Sequence, residues 1–264
     1  MTGIAATFAR ELSVALKSAD APTNPVTDDV SAWLEQFRTA LDGVGNAQDD
    51  SGTPVKLPAG PDDWLRIARE ELDGLPALVN AIHAAASRGC WYQIYAVDED
   101  STEVSDNPMR DLASGMYAAQ MIGPRGLIKS TELLAGLFLL RPWLHYPLHQ
   151  HQATEIYFGA SGTMHVQQGP GRVERALGPG QVSLTPSNRL HALTMGSSPV
   201  LLLYTWMGEL GGRNWWWHQS DEGVWQRDAW ERQPNAAWAK TVSEVLSPEH
   251  TKIEEGIDVG RGLR

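Results

Sequence analysis

The chain is poorest in cysteine. One residue in 264, Cys90, excludes an intramolecular disulfide framework and any thiolate cluster within one chain. Its place before Trp91 reads as buried filler. No apolar run is long enough to span a bilayer. The N-terminus lacks the basic, then apolar, then small-residue order of a secretory signal, so the expectation is a cytoplasmic protein with no membrane partner. Positive charge is also short: 21 Lys and Arg stand against 32 Asp and Glu, a net −11. That balance excludes a general nucleic-acid or anionic-membrane binder. It leaves room for a small zwitterionic or carboxylate substrate, because a bound metal can reverse the local field. Internal repeats and low-complexity tracts are absent too.

What is present suits a globular core: 42% of the residues are hydrophobic. Eleven tryptophans are unusual, and five of them fall between Trp215 and Trp230, so that segment is expected to pack. The first 90 or so residues read as helical. A first helix is expected over 5–17. A second over 28–42 carries Val30, Trp33, Leu34, Phe37 and Leu41 on one stripe, with Asp28 and Asp29 at its N-terminus. Residues 43–60 read as a loop. Pro61, Asp62 and Asp63 then open a helix to about Ser87, with Trp64, Ile67, Ala68, Leu72, Leu75, Val79 and Ile82 as its stripe. This helical region would cap the rest of the chain or build a homodimer interface.

From Cys90 the texture changes. "CWYQIYAV" is strand-like and 98–115 is polar and turn-rich. Then come "LLAGLFLLRP", "EIYFGASGTMHVQQ", "QVSLTPS", "HALTM" and "VLLLYTWMG", separated by Gly, Pro, Ser and Asn. That succession predicts an antiparallel β sandwich or barrel. The organisation expected is a helical region over 1–90, a β-barrel with a Trp-rich extension over 91–238, and a short helix (238–246) with a polar tail over 239–264. Part of 92–130 is expected to serve as a lid, being long, polar and just ahead of the barrel.

The segment "YPLHQHQATEIYFGASG", 146–162, holds the chemistry. His149, His151, Glu155 and Tyr157 share parity, so one continuous strand would point all four to the same side. Two imidazoles and a carboxylate there supply three ligands for a divalent first-row metal. Alone, the pair of histidines would equally suit a solvated face. "GPGQVSLTPSNRLHAL", 178–193, adds a strand after Gly180, a turn at Pro186 and Asn188, and His191, which a neighbouring strand would bring in as the fourth ligand. Such a set leaves open positions for water or substrate, the mark of a catalytic metal site.

These two stretches resemble the cupin motifs. The first matches HxHxxxExxxxxxG, ending at Gly162. The second has Gly180, Pro186 and His191 in place. Trp143 and Asn188 stand where glycines are usual, and Met195 where an asparagine is. The implied fold is mainly β, a single cupin (jelly-roll) barrel preceded by an α-helical region. Tyr157, Tyr146 and "LLLYTWMGEL" at 201–210 further resemble the cupin dimethylsulfoniopropionate (DMSP) lyases, over about residues 132–210. Glu209 replaces a more usual aspartate, and the Trp-rich 211–238 segment is not covered.

The resemblance implies a metal-dependent carbon–sulfur lyase that cleaves DMSP to dimethyl sulfide and acrylate by β-elimination. One divalent transition metal (Fe, Mn, Ni, Co, Zn or Cu) would hold the substrate carboxylate on His149, His151, Glu155 and His191. Tyr157 would be the base, where spacing alone would have it packing in the barrel. Tyr146, of opposite parity but beside Pro147, would orient substrate or assist. Tyr204 and Trp206 would face the sulfonium, or simply fill core. The same shell would serve an Fe(II) dioxygenase acting on a small organic acid, or a non-catalytic small-molecule-binding cupin. His145 and His165 read as surface residues. His83, His218 and His250 carry no signal.

Overall fold

A computed structural model of the chain describes residues 3–19, 30–50, 54–96, 108–234 and 237–247. Four helices come first: α1 (Ile4–Ser18), α2 (Val30–Val44), α3 (Ala59–Glu70) and α4 (Pro76–Arg88). After them run β1 (Trp91–Gln93), α5 (Pro108–Gly115), β2 (Met116–Ile122), β3 (Leu133–Leu140), β4 (His145–Gln150), β5 (Ala153–Ser161) and β6 (Met164–Gln167). The chain continues through β7 (Arg175–Leu177), β8 (Val182–Thr185), β9 (His191–Met195), β10 (Val200–Gly208), β11 (Asn214–Gln219), β12 (Trp225–Arg232) and β13 (Trp238–Val245). No described helix is long and apolar enough to cross a membrane.

The strands form two antiparallel sheets. One has the order β1-β2-β3-β10-β5-β8, the other β13-β12-β11-β4-β9-β6-β7. Side chains alternate between the two faces of a strand, so each strand of the six-stranded sheet feeds two cores. Its outer face (Leu137, Leu139, Leu201, Leu203, Ile156, Phe158) packs with Phe8, Leu12, Phe37, Leu41 and Ile82 of the helices. Its inner face (Phe138, Tyr157, Leu202, Tyr204) meets Tyr146, Leu193 and Trp216 of the other sheet. The functional pocket lies within that second core.

Several sequence expectations are corrected. The helix expected from Pro61 to Ser87 is two helices. Gly74 takes φ +127°, and Leu75, restricted by the following Pro76, is extended at ψ 122°. The break shifts the stripe: Leu75 is exposed, and Leu78 and Ile82 are buried on α4. The helix expected at 238–246 is β13, paired along its length with β12. The polar tail beyond residue 247, His250, and Asp28 and Asp29 lie outside the described residues. Cys90 is half-buried. Within 92–130, residues 116–122 are β2, buried at every position between β1 and β3 and so part of the sheet rather than a lid, and α5 leads straight into it. Residues 97–107 of that segment are outside the described residues.

The tryptophan triplet divides its directions. Trp216 enters the inner core beside Tyr95, Tyr146 and Trp230. Trp217 turns the other way onto Leu190, Trp225 and Leu246. Trp215 lies under Arg227, whose Cζ is 4.2 Å from the ring centroid.

Candidate metal centre and its pocket

His149, His151, Glu155 and Tyr157 do not lie on one strand. His149 is near the end of β4 in the seven-stranded sheet, Glu155 and Tyr157 are on β5 in the six-stranded sheet, and His151 sits on the crossing between them. The side chains converge because the chain passes from one wall of the barrel to the facing wall. Register supplies the rest. His149 is the direct cross-strand partner of His191, Glu155 of Trp206, and Tyr157 of Tyr204. The crossing is tied down from the second motif: Asn188 N–H donates to the His151 carbonyl (2.8 Å), and Ser187 N–H to Thr154 Oγ1 (3.2 Å). Asn188 adopts φ 59°, and Trp143, the other residue at a usual glycine position, φ 60°. Asparagine accepts this left-handed conformation with little strain; a tryptophan does not.

Each of the three histidines is oriented by the backbone. Nδ1 donates to a carbonyl in every case: His149 to Pro147 (2.8 Å), His151 to Ala153 (3.0 Å), His191 to Arg189 (2.9 Å). The carbonyl can only accept, so Nδ1 carries the proton and Nε2 of the neutral ring offers a lone pair. One ligand atom from each histidine lies within 4.8 Å of the others. Glu155 Oε2 joins them, 3.4 Å from His151 Nε2 and 3.6 Å from His191 Nε2. All four residues are buried.

Buried His151 Nε2, His191 Nε2 and Glu155 Oε2 have no hydrogen-bond partner among the described residues. Three acceptors facing one another at contact distance repel unless a positive charge sits among them. A divalent cation meets that requirement, and three imidazoles with a carboxylate suit first-row metals. Burial raises the affinity of the Glu155 carboxyl for its proton, and positive charge opposite Oε2, whether on protonated His151 and His191 or on a bound cation, outweighs burial and lowers it. Burial first, then His191 and His151, hold His149 well below the usual imidazole range. Ionised carboxylate and neutral rings are the protonation states a metal binds.

Trp206 serves this centre directly. Its indole Nε1 donates to Glu155 Oε1, leaving Oε2 for the histidines. Its ring also stacks on His151, with centroids 4.3 Å apart at 22°. The alternation on β10 turns Trp206 inward, but nothing in its spacing indicates a bond to Glu155.

Tyr146 also turns inward, despite its parity. The β4–β9 register shifts between Tyr146 and His149, around Pro147, and the Tyr146 ring stacks on His149 with centroids 3.5 Å apart at 12°. Its hydroxyl shares a hydrogen bond with Tyr95, and Asn214 Nδ2 donates to both, at 2.6 Å to Tyr95 and 2.9 Å to Tyr146. Tyr95 and Asn214 carry no motif in the sequence. Burial pushes Tyr146 up, with the Tyr95 and Asn214 hydrogen bonds acting against it. Burial and then the Glu155 carboxylate hold Tyr157 well above the ordinary phenol range. His145 is exposed and bonded to Thr194 (3.0 Å), His83 to Arg69 (3.0 Å), and His218 faces Asp228 (3.2 Å). None of these three, nor His165, is among the clustered histidines.

The centre opens into a cavity of about 570 Å³ lined by Phe138, Tyr146, Tyr157, Tyr204 and Trp206 among others. Two facing antiparallel sheets with three histidines and a glutamate between them define a cupin. The sequence profile of the DMSP lyase family matches residues 54–202, more than half of the chain. The chain belongs to the DMSP lyase family. The DMSP lyase DddQ of Ruegeria pomeroyi is 37% identical over 90 residues, which are 34% of this chain and 44% of that protein, so this match spans less than half of the relative. The crystal structure of DddQ from Ruegeria pomeroyi matches with a TM-score of 0.50 and 26% identity over 73% of this chain and 96% of that one. A crystal structure reported for the DMSP lyases RdDddP and RnDddQII matches in fold, with a TM-score of 0.52 and 22% identity over 78% and 97% of the two chains.

Proposed function

We propose that this chain is a metal-dependent carbon–sulfur lyase that cleaves DMSP to dimethyl sulfide and acrylate. The observation that carries the reading is the set of buried, inward-facing acceptors of His151, His191 and Glu155, beside His149 and a buried tyrosine, in a chain of the DMSP lyase family. His149, His151, His191 and Glu155 would hold the cation. Once bound, a divalent metal supplies Lewis acidity, which draws charge from a substrate carboxylate, acidifies its α-carbon and favours phenolate over phenol nearby.

The chain's own groups do the rest. The Tyr157 oxygen takes the α-proton. The C–H electron pair becomes the Cα–Cβ double bond, and the Cβ–S bond breaks with its pair on sulfur. Dimethyl sulfide leaves neutral, and the product is acrylate. Tyr157 stands one strand from Tyr204 and two residues from Glu155, so its hydroxyl belongs to the same wall as the centre. Tyr146 orients the substrate: its ring is fixed on His149 and its hydroxyl is engaged by Tyr95 and Asn214. The faces of Trp206, Tyr204 and Phe138 receive the sulfonium, each contact contributing about 0.5–2 kcal/mol.

The test is dimethyl sulfide release from DMSP by the metal-loaded protein, with Tyr157→Phe alongside. Wild type is expected to release it. The variant is expected to keep its metal and lose about 10²–10⁴-fold in turnover. No release under any of several divalent metals overturns the assignment. Oxygen consumption with a small organic acid would point instead to dioxygenase chemistry at the same centre.

A further inference from the structure

Two phenols meet beside the metal centre, and their protons can be counted. Tyr95, just after β1, and Tyr146, on β4, are 2% and 4% exposed, and both line the cavity. Their hydroxyls share one hydrogen bond. Asn214 Nδ2 donates to both oxygens, at 2.6 Å to Tyr95 and 2.9 Å to Tyr146. The indole of Trp216 stands edge-on to both rings, with centroids 5.5 and 5.9 Å away. Burial holds both phenols above the ordinary range, and hydrogen bonds from Trp216 and Asn214 act against it.

An amide N–H and an indole N–H can only donate. The partners of the two phenol oxygens are therefore each other and two donors. One phenol proton lies between the oxygens, and the other has no acceptor among these partners. A buried donor without an acceptor is costly, and a ligand oxygen removes that cost. The packing selects the oxygen that gives the proton. Tyr95 is hemmed in by the rings of Tyr146, Trp216 and Trp238, the last with its centroid 4.9 Å away. Tyr146 lies flat on His149, with centroids 3.5 Å apart, so its hydroxyl is the one beside the metal centre. Tyr95 thus donates to Tyr146, and Tyr146 keeps its own proton for the pocket.

We infer that Tyr95 and Asn214 are positioning residues that make the Tyr146 hydroxyl a hydrogen-bond donor to a carboxylate oxygen of the ligand. Accepting bonds from two sides polarises the Tyr146 O–H and fixes its direction, which strengthens the bond it gives. A carboxylate is the fitting acceptor, because a sulfonium offers no lone pair to a donor and a bond to an ionised oxygen is the stronger kind. Asn214, Trp216 and Trp238 all lie beyond residues 54–202, so the Trp-rich segment completes the site from outside the family match. DMSP as the ligand rests on the reading above; the donor itself serves any small carboxylate in the pocket.

Acrylate is titrated calorimetrically into the metal-loaded protein, and kcat and KM for DMSP are measured on the same preparations. The variants are Tyr95→Phe, Asn214→Leu, Asn214→Asp and Tyr146→Phe, with the first two repeated in the Tyr146→Phe background. Tyr146→Phe is expected to weaken acrylate binding about 10–100-fold. Tyr95→Phe and Asn214→Leu should each weaken it about three- to tenfold, raising KM by a like factor and leaving kcat within about threefold. In the Tyr146→Phe background both losses should shrink below about twofold, because no hydroxyl is left to position; a packing role would keep them. Asn214→Asp, which accepts where the amide donates, should draw the Tyr146 proton away from the ligand and cost more than Asn214→Leu. Four results each overturn the inference: affinity unchanged by Tyr95→Phe and Asn214→Leu, losses undiminished in the Tyr146→Phe background, Asn214→Asp binding like wild type, or no acrylate uptake by wild type. Tyr95→Phe keeps the ring, so it carries the test if Asn214→Leu does not fold. Absence of dimethyl sulfide release with the acrylate cycle intact overturns the lyase reading alone.

Discussion

The six-stranded sheet is covered on both faces and the seven-stranded sheet chiefly on one, and their strands read differently for that reason. In the first, β2 and β5 are buried at every residue and β3 at all but one. Helices α1–α4 lie on its outer face, so residues of both parities are apolar, as in "LLAGLFLL". In the second, β12 and β13 are mostly half-buried or exposed, and β7 has one buried residue of three. Yet each sheet supplies part of the centre: His149 and His191 from the more open one, Glu155, Tyr157, Tyr204 and Trp206 from the covered one. The covered sheet holds its side chains by packing on two sides. The open sheet holds its histidines by backbone carbonyls at Nδ1.

The largest effect should come from removing one ligand from each wall. His191→Ala and Glu155→Ala are both expected to lower bound metal and dimethyl sulfide release by at least about 100-fold, beyond the 10–100-fold typical of outer-shell changes. Metal analysis of purified protein beside the activity assay checks this. Equal losses would mean that the two walls contribute alike; metal retained by either variant would remove that residue from the ligand set.

Next comes the covering itself. Leu203→Ala, fully buried under the helices, is expected to cost about 2–5 kcal/mol in denaturant unfolding. Val245→Ala, 70% exposed on β13, should stay within about 0.5 kcal/mol. Similar costs at the two sites would break the contrast between the sheets. Trp206→Phe keeps an aromatic face over His151 but removes the indole donor from Glu155. Metal affinity is expected to fall about 10–100-fold, read by competition with a chelating dye, with little change in melting temperature. The smallest effect concerns a turn: Trp143→Gly, at φ 60° and exposed, should stabilise the fold by about 1 kcal/mol in thermal unfolding.

The β class and the clustered histidines and glutamate are legible in the sequence because they rest on local signals. Short apolar runs divided by Gly and Pro mark strands, and HxHxxxE fixes residue types at fixed spacing. Parity on a single strand does not explain that spacing: it would align the four side chains, whereas the chain crosses between sheets at His151. The motif survives because facing walls also bring side chains together. The strand at 238–245 looks helical in the sequence for a related reason. At an open sheet end its apolar residues are few, and pairing with β12, which no short window contains, decides its state. The break at Gly74–Pro76, in contrast, is written in the sequence, and the long apolar stripe obscures it.

By itself the sequence determined the helical start, the β succession, the single free thiol, and which histidines and glutamate were candidates to lie together, since composition and spacing are properties of neighbours along the chain. Only the tertiary structure decided that Asn188 fastens the His151 crossing, that Trp206 holds Glu155, and that Tyr95 and Asn214 hold Tyr146. Tyr95 and Asn214 are 119 positions apart in the chain. Strand order and register set such contacts, and those follow from how two sheets and four helices bury their apolar faces together.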